Sequence, residues 1–197
     1  MVITQEMVLA YPISHGISEY FTNYLLYNKD VDLNNNRHRN LIQYCNPYQV
    51  DWLLGHFDKV INIMLKDGVK SVMDFGCGIG GFAWLARNRF DEVISVDRTD
   101  VYQPLMDCFE VKLDFMCNQI QNPNFRIRKW DRDRKVDAMA LIRFYPLETT
   151  NDKDIVKDYI TKLKHYANTI YVLSIDTKSS RHLDKIGYRL NKYMWKI

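Results

Sequence analysis

The chain has 197 residues, 47% of them hydrophobic and 26% charged, with a formal net charge of +3. That length suits one domain with a full core, and no apolar run is long enough to predict a membrane span. The mild charge does not by itself point to nucleic acid. Cys45, Cys77, Cys108 and Cys117 have no Cys-x-x-Cys spacing, so reduced thiols of a cytoplasmic protein are expected.

The opening Met-Val-Ile-Thr-Gln-Glu-Met lacks the basic start of a secretory signal. Residues 1–46 read as an irregular, tyrosine-rich extension. Phe21, Tyr24, Leu25 and Leu26 could form one short helix, and the polar run 34–40 a loop. Asn46-Pro47 then resembles an N-cap with proline in the first turn. Val50, Leu53, Leu54, Phe57, Ile61, Met64 and Leu65 recur at helical spacing as far as Asp67-Gly68. An apolar strand follows over 71–75, then a glycine loop, a helix over 82–89 and a strand over 92–97. The pattern predicts a helix over 101–118 and a third strand over 125–130, where apolar and basic residues alternate. Residues 136–144 are nearly all apolar, as in a strand buried on both faces. An amphipathic helix over 151–167, a strand over 169–175, a short helix over 181–186 and a final strand over 188–197 complete the chain. Strands alternating with helices predict a mostly parallel sheet covered on both faces, with ligands at the carboxyl ends of its first strands.

The strongest motif is Asp74-Phe75-Gly76-Cys77-Gly78-Ile79-Gly80-Gly81. Gly76, Gly78 and Gly81 match a dinucleotide fingerprint, whereas Asp74, Gly76, Gly78 and Gly80 match acid-x-Gly-x-Gly-x-Gly. A carboxylate two residues before the loop would repel a pyrophosphate. It suits a ligand that carries cations and no phosphate. Downstream, Asp97 ends the second strand, where an acid accepts hydrogen bonds from a ribose diol. Asp97 serves an adenosine ligand of either kind.

This stretch resembles the first motif of the class I S-adenosylmethionine-dependent methyltransferases. The resemblance runs from the helix at residue 47 to the last strand and implies a methyltransferase-like domain over 47–197, with 1–46 as a lid. The implied fold is a three-layer α/β sandwich with a Rossmann-like sheet. The family ends in two antiparallel strands, and so few residues follow Gly187 that a shortened C-terminal hairpin is expected. The implied cofactor is S-adenosylmethionine, held by Asp74, Phe75, Gly76, Cys77, Gly78, Gly80, Asp97 and Arg98. The family often places an acid and an apolar side chain on the adenine after the third strand, which carries over to Asp131 and Trp130. Cys77 itself reads as a packing residue.

The fourth-strand end, Arg143-Phe144-Tyr145-Pro146-Leu147-Glu148, lacks the acid or amide that enzymes methylating exocyclic amines of DNA bases have here. Tyr145 or Glu148 could orient or deprotonate an acceptor. Arg126, Arg128, Lys129, Arg132, Arg134 and Lys135 could form a basic rim for an anion, though Asp131, Asp133 and Asp137 dilute it. A small or mildly anionic acceptor is therefore favoured over RNA or DNA. A catalytically inactive binding or regulatory subunit is the alternative. His15, His38, His56, His165 and His182 show no ligand spacing, so no metal is expected, and His15 could contact the site from the lid.

Overall fold

The computed structural model describes residues 47–98, 102–120, 122–131, 133–144, 147, 150, 152–174, 180–191 and 194–197, with Asn23 alone ahead of them. Apart from Asn23, which is helical, the expected lid over 1–46 with its loop and His15 lies outside the described residues, as do Arg132, Tyr145 and Glu148.

Helix α1 (Pro47–Lys66) ends at Gly68, whose φ of 76° turns the chain towards strand β1 (Ser71–Phe75). Helix α2 (Gly81–Ala86) and strand β2 (Glu92–Asp97) follow. Helix α3 (Gln103–Met106) and a 3-10 turn (Asp107–Phe109) lead to strand β3 (Phe115–Asn118) and the two-residue β4 (Arg126–Ile127). Strand β5 (Val136–Ile142), helix α4 (Lys153–Leu163), strand β6 (Ala167–Leu173), helix α5 (Ser180–Ile186), strand β7 (Tyr188–Asn191) and strand β8 (Met194–Lys196) complete the described elements.

The strands form one sheet in the order β4-β3-β2-β1-β5-β6-β8-β7. Strands β3, β2, β1, β5 and β6 run parallel, and β4, on one edge, is antiparallel to β3. At the other end β8 lies antiparallel to both β6 and β7. The sheet therefore grows outward in both directions from β1. That reversal opens a crevice at the carboxyl ends of β1 and its neighbours.

Strand periodicity assigns the two faces. Val72, Ala138, Ala140, Tyr171 and Leu173 pack under α1 and α2 with Phe57, Val60, Ile61, Met64 and Phe82. Met73, Phe75, Ile94, Val96, Met139, Leu141, Ile170 and Val172 pack on the opposite side with Val156, Tyr159, Ile160 and Leu163 of α4. Those four α4 residues recur at i, i+3, i+4 and i+7, the stripe that a surface helix buries. Each fully buried aliphatic contributes about 1.5–3 kcal/mol. Asp152 caps α4, accepting the N–H groups of Asp154 at 2.8 Å and Ile155 at 3.3 Å. By the same alternation Asp74 shares the α1/α2 face with Val72, and Asp97 shares it with Val93 and Ser95. The two acids are thereby aimed to one side of the sheet, next to the start of α2.

Three expectations need correction. The third parallel strand is Phe115–Asn118, paired with β2 through Val96 and Asp97, and not residues 125–130. Only Arg126–Ile127 of that stretch is strand, and it runs antiparallel at the edge. The helix expected over 101–118 shrinks to α3 and the 3-10 turn. The single strand expected over 188–197 is instead β7 and β8, a hairpin of four-residue and three-residue strands. The hairpin is short, as expected, but both strands are present.

Candidate functional site: the crevice at the ends of β1 and β2

The glycine loop folds over the end of β2. Gly76 and Cys77 both donate backbone N–H groups to the Val96 carbonyl, at 2.7 and 3.1 Å, and Gly80 N–H donates to Cys77 O at 2.9 Å. Gly76, Gly78 and Gly80 have φ of 81°, 52° and 76°, in the left-handed region where a Cβ is costly. Gly81 is small for another reason. It is already helical, and a Cβ there would stand 3.0 Å from the Phe57 ring. The acid-x-Gly-x-Gly-x-Gly spacing thus marks the three left-handed turns, and the fourth glycine marks close packing of α2 on α1.

Asp74 is 3% exposed, and the nearby backbone N–H of Ala83 favours its charged form. Ala83 lies in the first turn of α2, whose N-cap Gly80 has no side chain to offer, so Asp74 faces the start of that helix from the neighbouring strand. Its Oδ2 is buried with no hydrogen-bond partner among the described residues. Burial first, and then the negative charge of Asp97, raise its pKa from 3.8 to about 8. Asp97 is 6% exposed, yet both its oxygens are served. Oδ2 accepts Gly78 N–H at 2.9 Å, and Oδ1 accepts Arg98 N–H at 2.6 Å.

Cys77 is buried beside these acids. Desolvation, followed by the charges of Asp74 and Asp97, holds its thiol well above the ordinary range. It is an inert packing group and not a nucleophile. Phe75 turns to the opposite face, where its ring meets Phe125 at 5.1 Å and Phe144 at 5.5 Å. Its side chain supports the loop from beneath. The Arg98 side chain is exposed at the rim.

Tyr102 belongs to the same neighbourhood, and sequence reasoning missed it. It is half-buried ahead of α3, where desolvation and Asp97 raise its phenol pKa. The expected long helix over 101–118 hid it as one more helical aromatic. Its short distance in sequence past Asp97, followed by Pro104, was the available signal.

Strand β5 ends beside the glycine loop. Arg143 has φ of 50°, and its N–H donates to Leu173 O at 2.8 Å. The chain then places the Phe144 ring where a Cβ on Gly76 would approach it to 3.3 Å. Phe144 also packs edge-on against Tyr159, with centroids 5.8 Å apart. The fourth-strand end therefore meets the crevice through Phe144.

Trp130 and Asp131 require a correction, because the strand on which their role depended is misplaced. The third strand ends at Asn118, whose Oδ1 accepts Arg128 Nε at 2.8 Å. Trp130 instead packs on Phe115, at the beginning of β3, and on Tyr166, just before β6, with centroids 5.2 and 6.1 Å away. Its Nε1 donates to Arg134 O at 3.1 Å, and Arg134 pairs with Glu92 at the start of β2. Phe115 is level with Val96 in the sheet, but it, Trp130 and Tyr166 pack on the α4 face, whereas Asp74 and Asp97 lie on the other face. Asp131 is exposed and accepts Asp133 N–H at 3.1 Å. The structure thus brings Asp74, the glycines, Cys77, Asp97 and Arg98 together and packs Trp130 on the opposite face of the sheet.

The basic rim is also redistributed. From Arg126, opposite Asn118, the chain runs along the outer edge of the sheet to Arg134 at the amino edge. Asp137 is a structural acid. It accepts the N–H groups of Lys70 and Ser71, both at 2.9 Å, and those bonds lower its pKa. Among the described residues no group of three or more His, Cys, Asp or Glu is placed to hold a metal ion. Nor, among them, is any helix long and apolar enough to cross a membrane.

Solved methyltransferases share this architecture. A putative O-methyltransferase from Nostoc punctiforme is 13% identical, with 85% of this chain and 52% of that chain aligned at a TM-score of 0.52. An S-adenosylmethionine-dependent methyltransferase from Clostridium acetobutylicum is 16% identical, covering 60% of this chain and 48% of its own at a TM-score of 0.47. An amino pentose methyltransferase from Micromonospora echinaspora, solved with S-adenosylmethionine bound, is 12% identical, covering 66% and 56% at 0.48. The chain thus spans about half the length of these three structures. No protein-family model matches the sequence, and no curated protein sequence matches it. The fold is that of the class I methyltransferases.

Proposed function

We propose that this chain binds S-adenosylmethionine in the crevice at the ends of β1 and β2 and transfers its methyl group to a small or mildly anionic acceptor. The observation that carries this reading is the buried Asp74, with its unpartnered Oδ2 beside a loop of left-handed glycines. An orphaned carboxylate oxygen is costly unless a donor arrives. The ammonium group of S-adenosylmethionine is such a donor, and the dinucleotide pyrophosphate is not. Asp97, at the end of β2 beside Gly78, is the proposed acceptor for the ribose hydroxyls. Gly76, Gly78 and Gly80 let the backbone approach the ligand, while Phe75 and Cys77 support the loop and Arg98 borders it.

When bound, the cofactor supplies an already activated methyl group. What remains for the protein is to position the acceptor in line with it and to exclude water. Tyr145 and Glu148, just past Phe144, are the proposed residues for orienting or deprotonating the acceptor. Residues 1–46 are the proposed lid. The net charge is only +3, and Asp131 and Asp133 interleave with the basic residues of this stretch, which favours a small acceptor over a polynucleotide.

Transfer of label from S-adenosylmethionine methyl-tritiated into separate pools of small metabolites, RNA and DNA tests the reading. Label in the small-molecule pool is the expected result. Label in RNA or DNA would replace the acceptor class. Cofactor binding without label in any pool would favour the inactive binding subunit.

A further inference from the structure

Two buried carboxylates sit on one side of the sheet, and their hydrogen bonds are unequal. Asp97 receives two backbone N–H groups, from Gly78 and Arg98. Asp74 has only the nearby Ala83 N–H to favour its charge, and its Oδ2 is buried with no hydrogen-bond partner among the described residues. Hydrogen bonds donated to a carboxylate favour its charged form, whereas burial beside a like charge favours the neutral form. The asymmetry decides which acid of the pair keeps its charge.

We infer that the pair carries a single negative charge in the free protein, resident on Asp97 with a proton on Asp74, and that a cationic ligand group displaces this proton to solvent. The inference rests on the proposed reading of the crevice as a site for a cofactor with an ammonium group. Binding then exchanges one cation for another at Asp74. The site stays near charge balance whether empty or filled, which spares the empty protein a second buried charge.

Among the described residues, the neighbours that act on Asp74 include no cation. From β2 it faces Asp97, and from the glycine loop it faces the Cys77 thiol. The α2 side supplies only the Ala83 N–H, and β5 places Ala140 opposite it in register. Tyr102 and Arg98 stand beyond Asp97, and Asp114 acts on Cys77 from further out. Arg143 follows three residues after Ala140 and is exposed. The raised pKa of Asp74, about 8, agrees with the hydrogen-bond asymmetry.

Isothermal titration in two buffers of different ionisation enthalpy reads the proton directly. S-adenosylhomocysteine and adenosine are the probes, since only the first carries the ammonium. At about pH 6 S-adenosylhomocysteine should release close to one proton per molecule bound. Its affinity should rise roughly twentyfold by about pH 7.5, as the proton to be displaced becomes scarcer. Adenosine should release none and show no such rise. Asp74→Asn, a neutral isostere, should abolish both the release and the rise. Binding of S-adenosylhomocysteine with no proton release and equal affinity at both pH values would overturn the inference while leaving the cofactor reading intact. Failure of S-adenosylhomocysteine to bind at either pH would remove the cofactor reading itself.

A ligand-free measurement keeps the charge state testable in that event. The folded-state value of Asp74 lies above its ordinary 3.8, so the folded chain holds a proton that the unfolded chain releases. That stabilisation is complete below about pH 4 and is lost as pH rises towards about 8. Between about pH 5 and 7 the folding constant of the wild type should fall up to tenfold per pH unit relative to Asp74→Asn. A constant difference between the two proteins would show that Asp74 is already ionised when the crevice is empty.

Discussion

Replacing Gly80 by alanine perturbs the one residue that both turns the loop and starts α2. Gly80 has φ of 76°, and an alanine forced to keep it costs about 1–2 kcal/mol. The added Cβ would meet Val111 Cγ1 at 3.0 Å and Met106 Cε at 3.3 Å. Met106 can swing its terminal methyl aside, but Val111 is buried and branched and must shift bodily. Overpacking of this kind adds about 1–3 kcal/mol. The expected loss is therefore about 2–5 kcal/mol, read as a lower midpoint in urea denaturation with an unchanged slope. Gly55→Ala is the control, because Gly55 lies exposed within α1 with nothing within 4 Å of the new Cβ. It should gain about 0.5–1 kcal/mol from helix propensity. Both substitutions restrict the unfolded chain alike, so their opposite signs isolate the folded-state conformation of Gly80. A Gly80→Ala protein within 0.5 kcal/mol of wild type, at about the precision of the method, would refute the reasoning.

Asp97→Ala should weaken binding of S-adenosylhomocysteine by about 1.5–3 kcal/mol and also lower the melting temperature, because Gly78 N–H loses its acceptor. Calorimetry and a thermal melt on the same sample separate the two effects, and unchanged affinity would end the ribose assignment. Asp152→Ala should cost about 1 kcal/mol by uncapping α4, measured by urea denaturation, without changing cofactor affinity. Trp130→Ala should destabilise by about 1–3 kcal/mol, yet leave S-adenosylhomocysteine affinity at the wild-type value, because the indole packs on the α4 face of the sheet, away from Asp74 and Asp97. A matching loss of affinity would return Trp130 to the site.

The parts of the fold that sequence disclosed are those with strong local signals. The glycines at 76, 78 and 80 are needed for left-handed turns, so their spacing carried the loop geometry. The apolar run at 136–142 and the α4 stripe are long enough to show their period. Strand β3 was hidden because it is four residues long and touches β2 through only two residue pairs, leaving little room for a pattern. The alternation near Ile127 was real but belonged to a two-residue antiparallel edge strand. That one misplacement made Trp130 a strand-end residue in the sequence reading, whereas it packs on the α4 face. The hairpin at the C-terminus was concealed because β7 and β8 share one stretch of ten residues with no Gly or Pro between them. At the site, Asp74 and Asp97 were legible as strand-end acids. Their unequal hydrogen bonding was not, since it depends on Ala83, Gly78 and Arg98 backbone groups that converge only in the folded chain.

The central claim is that the crevice selects a cationic, phosphate-free adenosine cofactor. Calorimetric titration of the purified chain at about pH 7.5 with S-adenosylhomocysteine and, separately, with NAD tests it most directly. The account predicts saturable binding of S-adenosylhomocysteine, much weaker or undetectable binding of NAD, and loss of this preference in Asp74→Lys. Tight binding of NAD with no heat from S-adenosylhomocysteine would contradict it, because a pyrophosphate would then be lying beside an acid that ought to repel it.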